Sequence, residues 1–249
     1  SLVLDGSSLR VGPMTYDLAE YEHIYVVGAG KASAAMACAL EEILGDRITA
    51  GWINVKDGYT APTRAIRLYE VSHPFPDKRG VEGTERIASL LRQTVAEDLV
   101  FCLISGGGSA LMVLPAEGIA LEDIESLTQS LLRSGATINE INAVRKHLSQ
   151  VKGGYLSRLA HPARVVSLIV SDVIANPLDV IASGPTTADP TTFGNAYAVL
   201  QKYDLLPEIP VAIVRRLQQG IEGRIAETPK TDDSVFERTE HVIIASNAV

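Results

Sequence analysis

The chain has 249 residues, 22 Lys+Arg against 30 Asp+Glu, and a formal net charge of −8. At 46% hydrophobic and 21% charged it is too apolar for a disordered chain, and its acidic balance argues against a general nucleic-acid binder. Apolar stretches are interrupted well before the ~18 residues of a membrane span, no charged-then-apolar leader is read, and Cys38 and Cys102 sit singly in apolar runs, which suits a reducing, cytoplasmic setting.

Short β-branched runs alternate with longer helical patterns. Strands are expected at residues 23–27, 48–55, 66–71, 99–104, 165–170 and 241–245, mostly as continuous apolar runs, the pattern of strands covered on both faces. Helices are expected over 31–44, 79–94, 121–132, 138–159 (with a break at Gly153-Gly154), 191–203 and 207–221, and 222–239 reads as a polar loop. This order predicts a doubly wound, mostly parallel α/β sheet with helices on both faces, a Rossmann-like fold. The chain opens on Ser1 and closes just after a strand and the first residues of another element, so more protein is expected beyond Val249, with 222–249 leading to a second domain.

The first Gly-rich strand exit is Val26-Val-Gly-Ala-Gly-Lys-Ala-Ser33. A tight glycine turn at a helix N-terminus can bring backbone N–H groups to phosphate, which makes Gly28 and Gly30 candidate phosphate-site residues and Lys31 a candidate cation. A plain tight turn reads equally well. The spacing is not that of a Walker A loop, and Ser33 stands where a dinucleotide fingerprint has its third Gly or Ala, although Asp57 could mimic the ribose-binding acid. The second exit, Leu103-Ile-Ser-Gly-Gly-Gly-Ser-Ala-Leu111, is more specific. Ser105, Gly106, Gly107, Gly108 and Ser109 make a donor-rich nest suited to phosphate oxygens, and three consecutive glycines would be wasteful in a merely structural turn.

From Ile141 to Ser171 there are five Lys/Arg and no Asp or Glu, a basic island in an acidic chain. Within it, Asn142, Arg145, Ser149 and Lys152 repeat at helical spacing beside an apolar stripe of Ile141, Val144, Leu148 and Val151. That polar row can face a cleft and bind an acid or phosphate, or merely flank the core; spacing does not choose. Asp172, at the exit of the fifth strand, is placed where open α/β sheets bind ligands and could serve a nucleotide-borne Mg²⁺. Asp189 reads as a turn acid, Thr191 as a candidate helix N-cap, and His73, in the rigid His73-Pro-Phe-Pro-Asp77 loop, as a structural histidine.

Together GAGKAS, SHPFPD, LISGGGSAL, INAVRKHLSQVKGG and SDVIANPLDVIASGPTTADPTTF resemble, in order and across nearly the whole chain, the two-domain glycerate 2-kinases, a family also labelled hydroxypyruvate reductase. The resemblance implies a Rossmann-like N-terminal domain, spanning 1–249 here, joined to a smaller α/β domain that holds a substrate-contacting arginine. It implies ATP- and Mg²⁺-dependent phosphorylation of D-glycerate to 2-phosphoglycerate in the cleft between the two, with the family's active-site lysine at Lys31. Where the family usually has an acidic residue after Ser-Asp-Val, this chain has Ala175-Asn176, so no metal role is carried over to position 176. The alternatives are NAD(P)H-dependent hydroxypyruvate reduction and a non-catalytic phosphate-binding module. The expected partner is a small-molecule substrate, with no nucleic acid and no membrane, and a homo-oligomer is compatible with the sequence.

Overall fold

Continuous apolar runs need cover on both faces, and the computed structural model shows how they obtain it; it describes residues 2–173 and 175–246. Ser1, Ile174 and residues 247–249, where the element after the last strand was expected to begin, lie outside the described residues. The chain starts with three four-residue strands, β1 (Leu2–Asp5), β2 (Ser8–Val11) and β3 (Met14–Asp17), which form an antiparallel meander. No strand is expected from the sequence before residue 23, so the meander adds to the expected elements. Six further strands follow: β4 (Ile24–Ala29), β5 (Ala50–Lys56), β6 (Ile66–Val71), β7 (Leu99–Ile104), β8 (Arg164–Ser171) and β9 (Thr239–Ser246). They pair in parallel throughout in the order β6-β5-β4-β7-β8-β9. All six strand expectations therefore fall in one sheet.

The helices are α1 (Ser33–Leu44), α2 (Lys78–Leu91), α3 (Gly108–Leu111), α4 (Leu121–Arg133), α5 (Ile138–His147), α6 (Tyr155–Ala160), α7 (Phe193–Lys202) and α8 (Val211–Ile221). On β7, which is buried throughout, Phe101 and Leu103 face α1 and the meander, packing with Ala37, Leu40, Leu9 and Val11. Val100, Cys102 and Ile104 face the other side, towards Ile87 and Leu91 of α2 and Leu156 and Ala160 of α6. Helices thus cover both sheet faces, as expected, and the meander adds to the cover on the α1 side. Helices α4, α5, α7 and α8 have a core of their own around Leu127, Leu131, Val144, Phe193 and Leu217.

Helix ends explain most boundaries. Asp77 caps α2 through the Gly80 N–H, and Thr137 with Glu140 forms a capping box on α5. The cap of α7 is Thr192, bonded reciprocally with Asn195, one residue later than Thr191; the Thr191 hydroxyl instead donates to Asp189. The expected helix over 138–159 stops at His147. Beyond it the chain turns to bond Leu114 and Ala116, and Gly153 and Gly154 adopt φ of 56° and 84° before α6 begins.

Glu41 of α1 fixes the entry to β6. Its carboxylate, 6% exposed, accepts the N–H groups of Arg64, Ala65 and Ile66 at 2.7–2.8 Å. Glu41→Leu strands these three donors and should lower the unfolding free energy by about 2–3 kcal/mol, read as a lower denaturant midpoint at unchanged m-value.

Candidate functional site

In the strand order, β4 is followed in sequence by β5 on one side and has β7 on the other. Open parallel sheets form a crevice at such a reversal, beyond the C-terminal ends of the strands. Both Gly-rich exits, Gly28–Ser33 and Ser105–Ser109, lie there side by side, since Ala29 pairs with Ile104.

The two exits have unequal roles. A Cβ at Gly28 would overlap the Leu103 carbonyl, and one at Gly30 would overlap Ser105 Oγ, so these glycines are required by close packing. The N–H groups that would greet phosphate are already used: Gly30 donates to Asn54, Lys31 to the Gly106 carbonyl, Ala32 to Ser105 Oγ and Ser33 to Gly30. Gly28 and Gly30, candidate phosphate contacts by sequence, are instead the surface onto which the second loop is fitted. Ser105 is likewise buried and committed, to Ala32 N and Ser33 Oγ. A dinucleotide site loses its main support, because Asp57 is also held by both oxygens in an ion pair with Arg79, at 2.8 and 2.9 Å.

The second loop keeps its donors. Among the described residues nothing accepts the N–H of Gly106, Gly107 or Ser109. Gly107 has φ +86°, and a Cβ there would lie 2.9 Å from His73 Nε2 and 3.3 Å from Lys31 Cε, so the imidazole and the lysine stem converge on this residue. A Cβ at Gly106 would overlap the Asp172 carboxylate. The loop, His73 and Asp172 border a cavity of about 430 Å³ with Arg145 and Lys152. Lys31 is exposed at its edge, outside the lining, and its amine has no partner among the described residues. His73 is thus part of the site, and only its place after a strand hinted at this. Burial, then the charges of Lys31 and Lys56, lower its pKa below the usual histidine value, so the neutral ring can accept a proton from a hydroxyl brought to the loop.

The basic island resolves into two groups. Lys146 is buried against Asp189 at 3.4 Å and Asp179 at 3.7 Å, Arg158 pairs with Asp233, and Arg164 pairs with Glu240. Arg145 and Lys152 have no carboxylate partner among the described residues. Lys152, 2% exposed, donates to the Ser109 and Met112 carbonyls at 2.8 and 2.9 Å; Arg145 Nη2 donates to Ser109 O, and its buried Nε has no acceptor. Burial, and secondly Arg145, push the Lys152 amine well below the ordinary lysine range, and burial lowers Arg145 as well. Two cations without carboxylate partners behind a loop of free N–H groups are a combination that could receive an anion. Asn142, expected beside them, is not in the cavity lining: it is 3% exposed and accepts from Ser183 Oγ, which also bonds Ser109 Oγ. Asp189 is no surface turn acid but the buried acceptor for Lys146, Thr191 and Thr228.

Asp172 is exposed and stands alone: no cluster of three acidic, His or Cys groups able to hold a metal occurs among the described residues. One carboxylate against a phosphate-type loop matches the donor set of a Mg²⁺ that arrives with a nucleotide, which draws its other ligands from phosphate and water. No helix among the described residues is long and apolar enough to cross a membrane.

Residues 3–218 match the family model DUF4147, described as a domain of unknown function. The chain is 43% identical to a Pyrococcus horikoshii protein named glycerate 2-kinase, across 91% of this chain and 50% of that protein. It is 50% identical to an Agrobacterium vitis protein bearing the name hydroxypyruvate reductase, across 73% of this chain and 47% of that one. The crystal structure of a glycerate kinase from Thermotoga maritima superposes with a TM-score of 0.82 at 42% identity, over 91% of this chain and 52% of that chain. A crystal structure of a Pyrococcus horikoshii protein gives 0.92 at 39% identity, over 99% and 55%. The chain spans about half the length of the curated relatives it matches.

Two outcomes follow from this geometry. Gly107→Val places a β-branched side chain at positive φ, on the imidazole, and should weaken tripolyphosphate binding at least about tenfold by titration calorimetry. An anion favours protonated Lys152, raising its pKa from the lowered value of the free site, so binding takes up protons wherever the pH lies between the two. Calorimetry of tripolyphosphate binding at alkaline pH, in buffers of different ionisation enthalpy, should register that uptake, and Lys152→Met should abolish it.

Proposed function

We propose that this chain, which belongs to the DUF4147 family, binds ATP phosphates at the Gly106–Ser109 loop and forms the nucleotide side of a D-glycerate 2-kinase. The observation that supports this best is the convergence of free loop N–H groups, uncompensated Arg145 and Lys152, and the unpartnered Lys31 at one sheet crevice. Phosphoryl transfer needs mainly positioning and neutralisation of charge on the transferred group, which is what such a cluster supplies. Lys31 acts on that group, the loop and Lys152 hold the phosphates left behind, and Asp172 would hold a Mg²⁺ that neutralises phosphate charge when bound. Arg145 anchors the loop through Ser109 O and meets the anion with Nε.

The site is open on one side. We assign the opposite wall, and recognition of the glycerate carboxylate, to a second domain in a protein as long as its relatives, because in-line transfer needs the acceptor hydroxyl held and water kept out. Hydroxypyruvate reduction, the name some relatives bear, has less support: the N–H groups of Gly30, Lys31, Ala32 and Ser33 at the β4 exit are already bonded, and Asp57 is engaged by Arg79.

The discriminating assay measures ADP formation with D-glycerate and ATP beside NAD(P)H oxidation with hydroxypyruvate, in protein of the relatives' full length. ADP formation is expected, and NAD(P)H oxidation without it would refute the kinase reading. In the same protein Lys31→Ala should lower kcat by about 10²–10³-fold and leave the melting temperature unchanged, since the side chain is exposed.

A further inference from the structure

The phosphate loop occupies only one end of the cavity. The cavity wall also includes Ile124, Glu125 and Leu132 of α4, Ile138 of α5, and Val113 and Leu148. Its rim is unusual for a protein surface. Phe75, Leu132 and Ile138 are 65%, 61% and 56% exposed, and all three border this cavity. Leu132 ends α4 and Ile138 begins α5, so the connection between the helices puts two large aliphatic side chains at the mouth at once. An exposed apolar cluster at the mouth of a concave site marks a place that something flat or apolar covers.

We propose that this apolar end is a nucleobase subsite, with the base resting on the Leu132–Ile138 wall while its phosphates reach Gly106–Ser109. The proposal rests on the reading of that loop as the phosphate site. Three features favour a heterocycle over a protein segment. The apolar end and the anion end are one continuous cavity, and about 430 Å³ lies in the range of small-molecule pockets. Aromatic and branched aliphatic side chains suit the face of a flat ring. The polar edge of a base also has partners: Gln129 and Thr128 line the same cavity, the Gln129 amide nitrogen has no acceptor among the described residues, and Thr128 Oγ1, which donates to Ile124 O, can still accept.

The test compares ATP with tripolyphosphate, which has the phosphates and no base, by titration calorimetry on the purified protein. Leu132→Asp and Ile138→Asp alter exposed positions, and an acid at the first residue of α5 suits its N-terminus, so both should melt as the parent does. ATP should bind the parent at least about tenfold more tightly than tripolyphosphate, and each variant should lose most of that advantage while binding tripolyphosphate as before. Equal affinity of the parent for both ligands, or variants that bind ATP like the parent, would overturn the subsite and leave the phosphate site standing. A parent that binds neither ligand would overturn both. If Ile138→Asp changes the oligomeric mass while ATP affinity stays intact, the rim is a contact between copies, and the subsite is again refuted.

Discussion

Everything at the site depends on how closely the exits of β4 and β7 approach each other. Gly28 and Gly30 have no Cβ, and the space a Cβ would need is filled by the Leu103 carbonyl and Ser105 Oγ. That contact lets Ser105 cap α1, which has no cap from its own N-cap residue, Ala32. It also lets the Gly106 carbonyl accept the Lys31 N–H. The first loop thus spends two of its backbone donors, Lys31 and Ala32, on fixing the second, whose Gly106, Gly107 and Ser109 N–H groups have no acceptor among the described residues. Two glycine turns that look equivalent in sequence divide into a support and a loop whose donors stay free among the described residues.

Electrostatics follow the same division. A buried cation is costly unless paired, and three members of the basic island have carboxylate partners. Lys152 and Arg145 have carbonyl oxygens instead, chiefly Ser109 O, within the four-residue α3. Carbonyl dipoles orient the two side chains without neutralising them, so the deficit is left for an anion arriving at the loop. The burial that lowers the Lys152 pKa also strengthens any charge contact it makes.

Much of this was legible in the sequence. Most of the parallel strands are largely apolar runs followed by Gly, Ser or Asp, so fold class and strand exits could be read directly; Gly107 and Asp172, which border the cavity, were singled out from those exits, and Lys152 from the spacing in the basic island. The meander escaped because its strands are four residues long with only two alternating positions facing in, too few for a periodic signal; its turns at Gly6 and Gly12, both at positive φ, were the available clue. The polar row read at helical spacing divides in the structure: Arg145, Ser149 and Lys152 border the cavity and Asn142 does not. Asn142 lies within the helix and turns into the core, whereas Lys152 reaches the loop from irregular chain that the spacing argument did not describe. Pairing between distant segments was out of reach: nothing near Lys146 in sequence announces Asp179 or Asp189, and nothing near His73 announces Gly107.

Those distant pairings also explain a costly stretch of backbone. Ala175, Asn176, Ala182 and Ser183 all have positive φ, a conformation that disfavours side chains with a Cβ. Such strain persists only where surrounding structure over-determines it. Ser183 shows how: its hydroxyl joins Asn142 of α5 to Ser109 of the loop, its N–H donates to Val180, and its carbonyl accepts from Gly153. The segment after β8 is therefore tied at once to the helix bearing Arg145, to the turn bearing Lys152 and to the loop both cations serve. Ala182 presses the same loop from another side, since a Cβ at Gly108 would lie 2.9 Å from its methyl group. A relaxed backbone at 182–183 would release Ser109 from Asn142 and let the carbonyl that holds both cations drift. The strain is the cost of holding the loop's free N–H groups and the two cations in register on elements that the chain order keeps far apart.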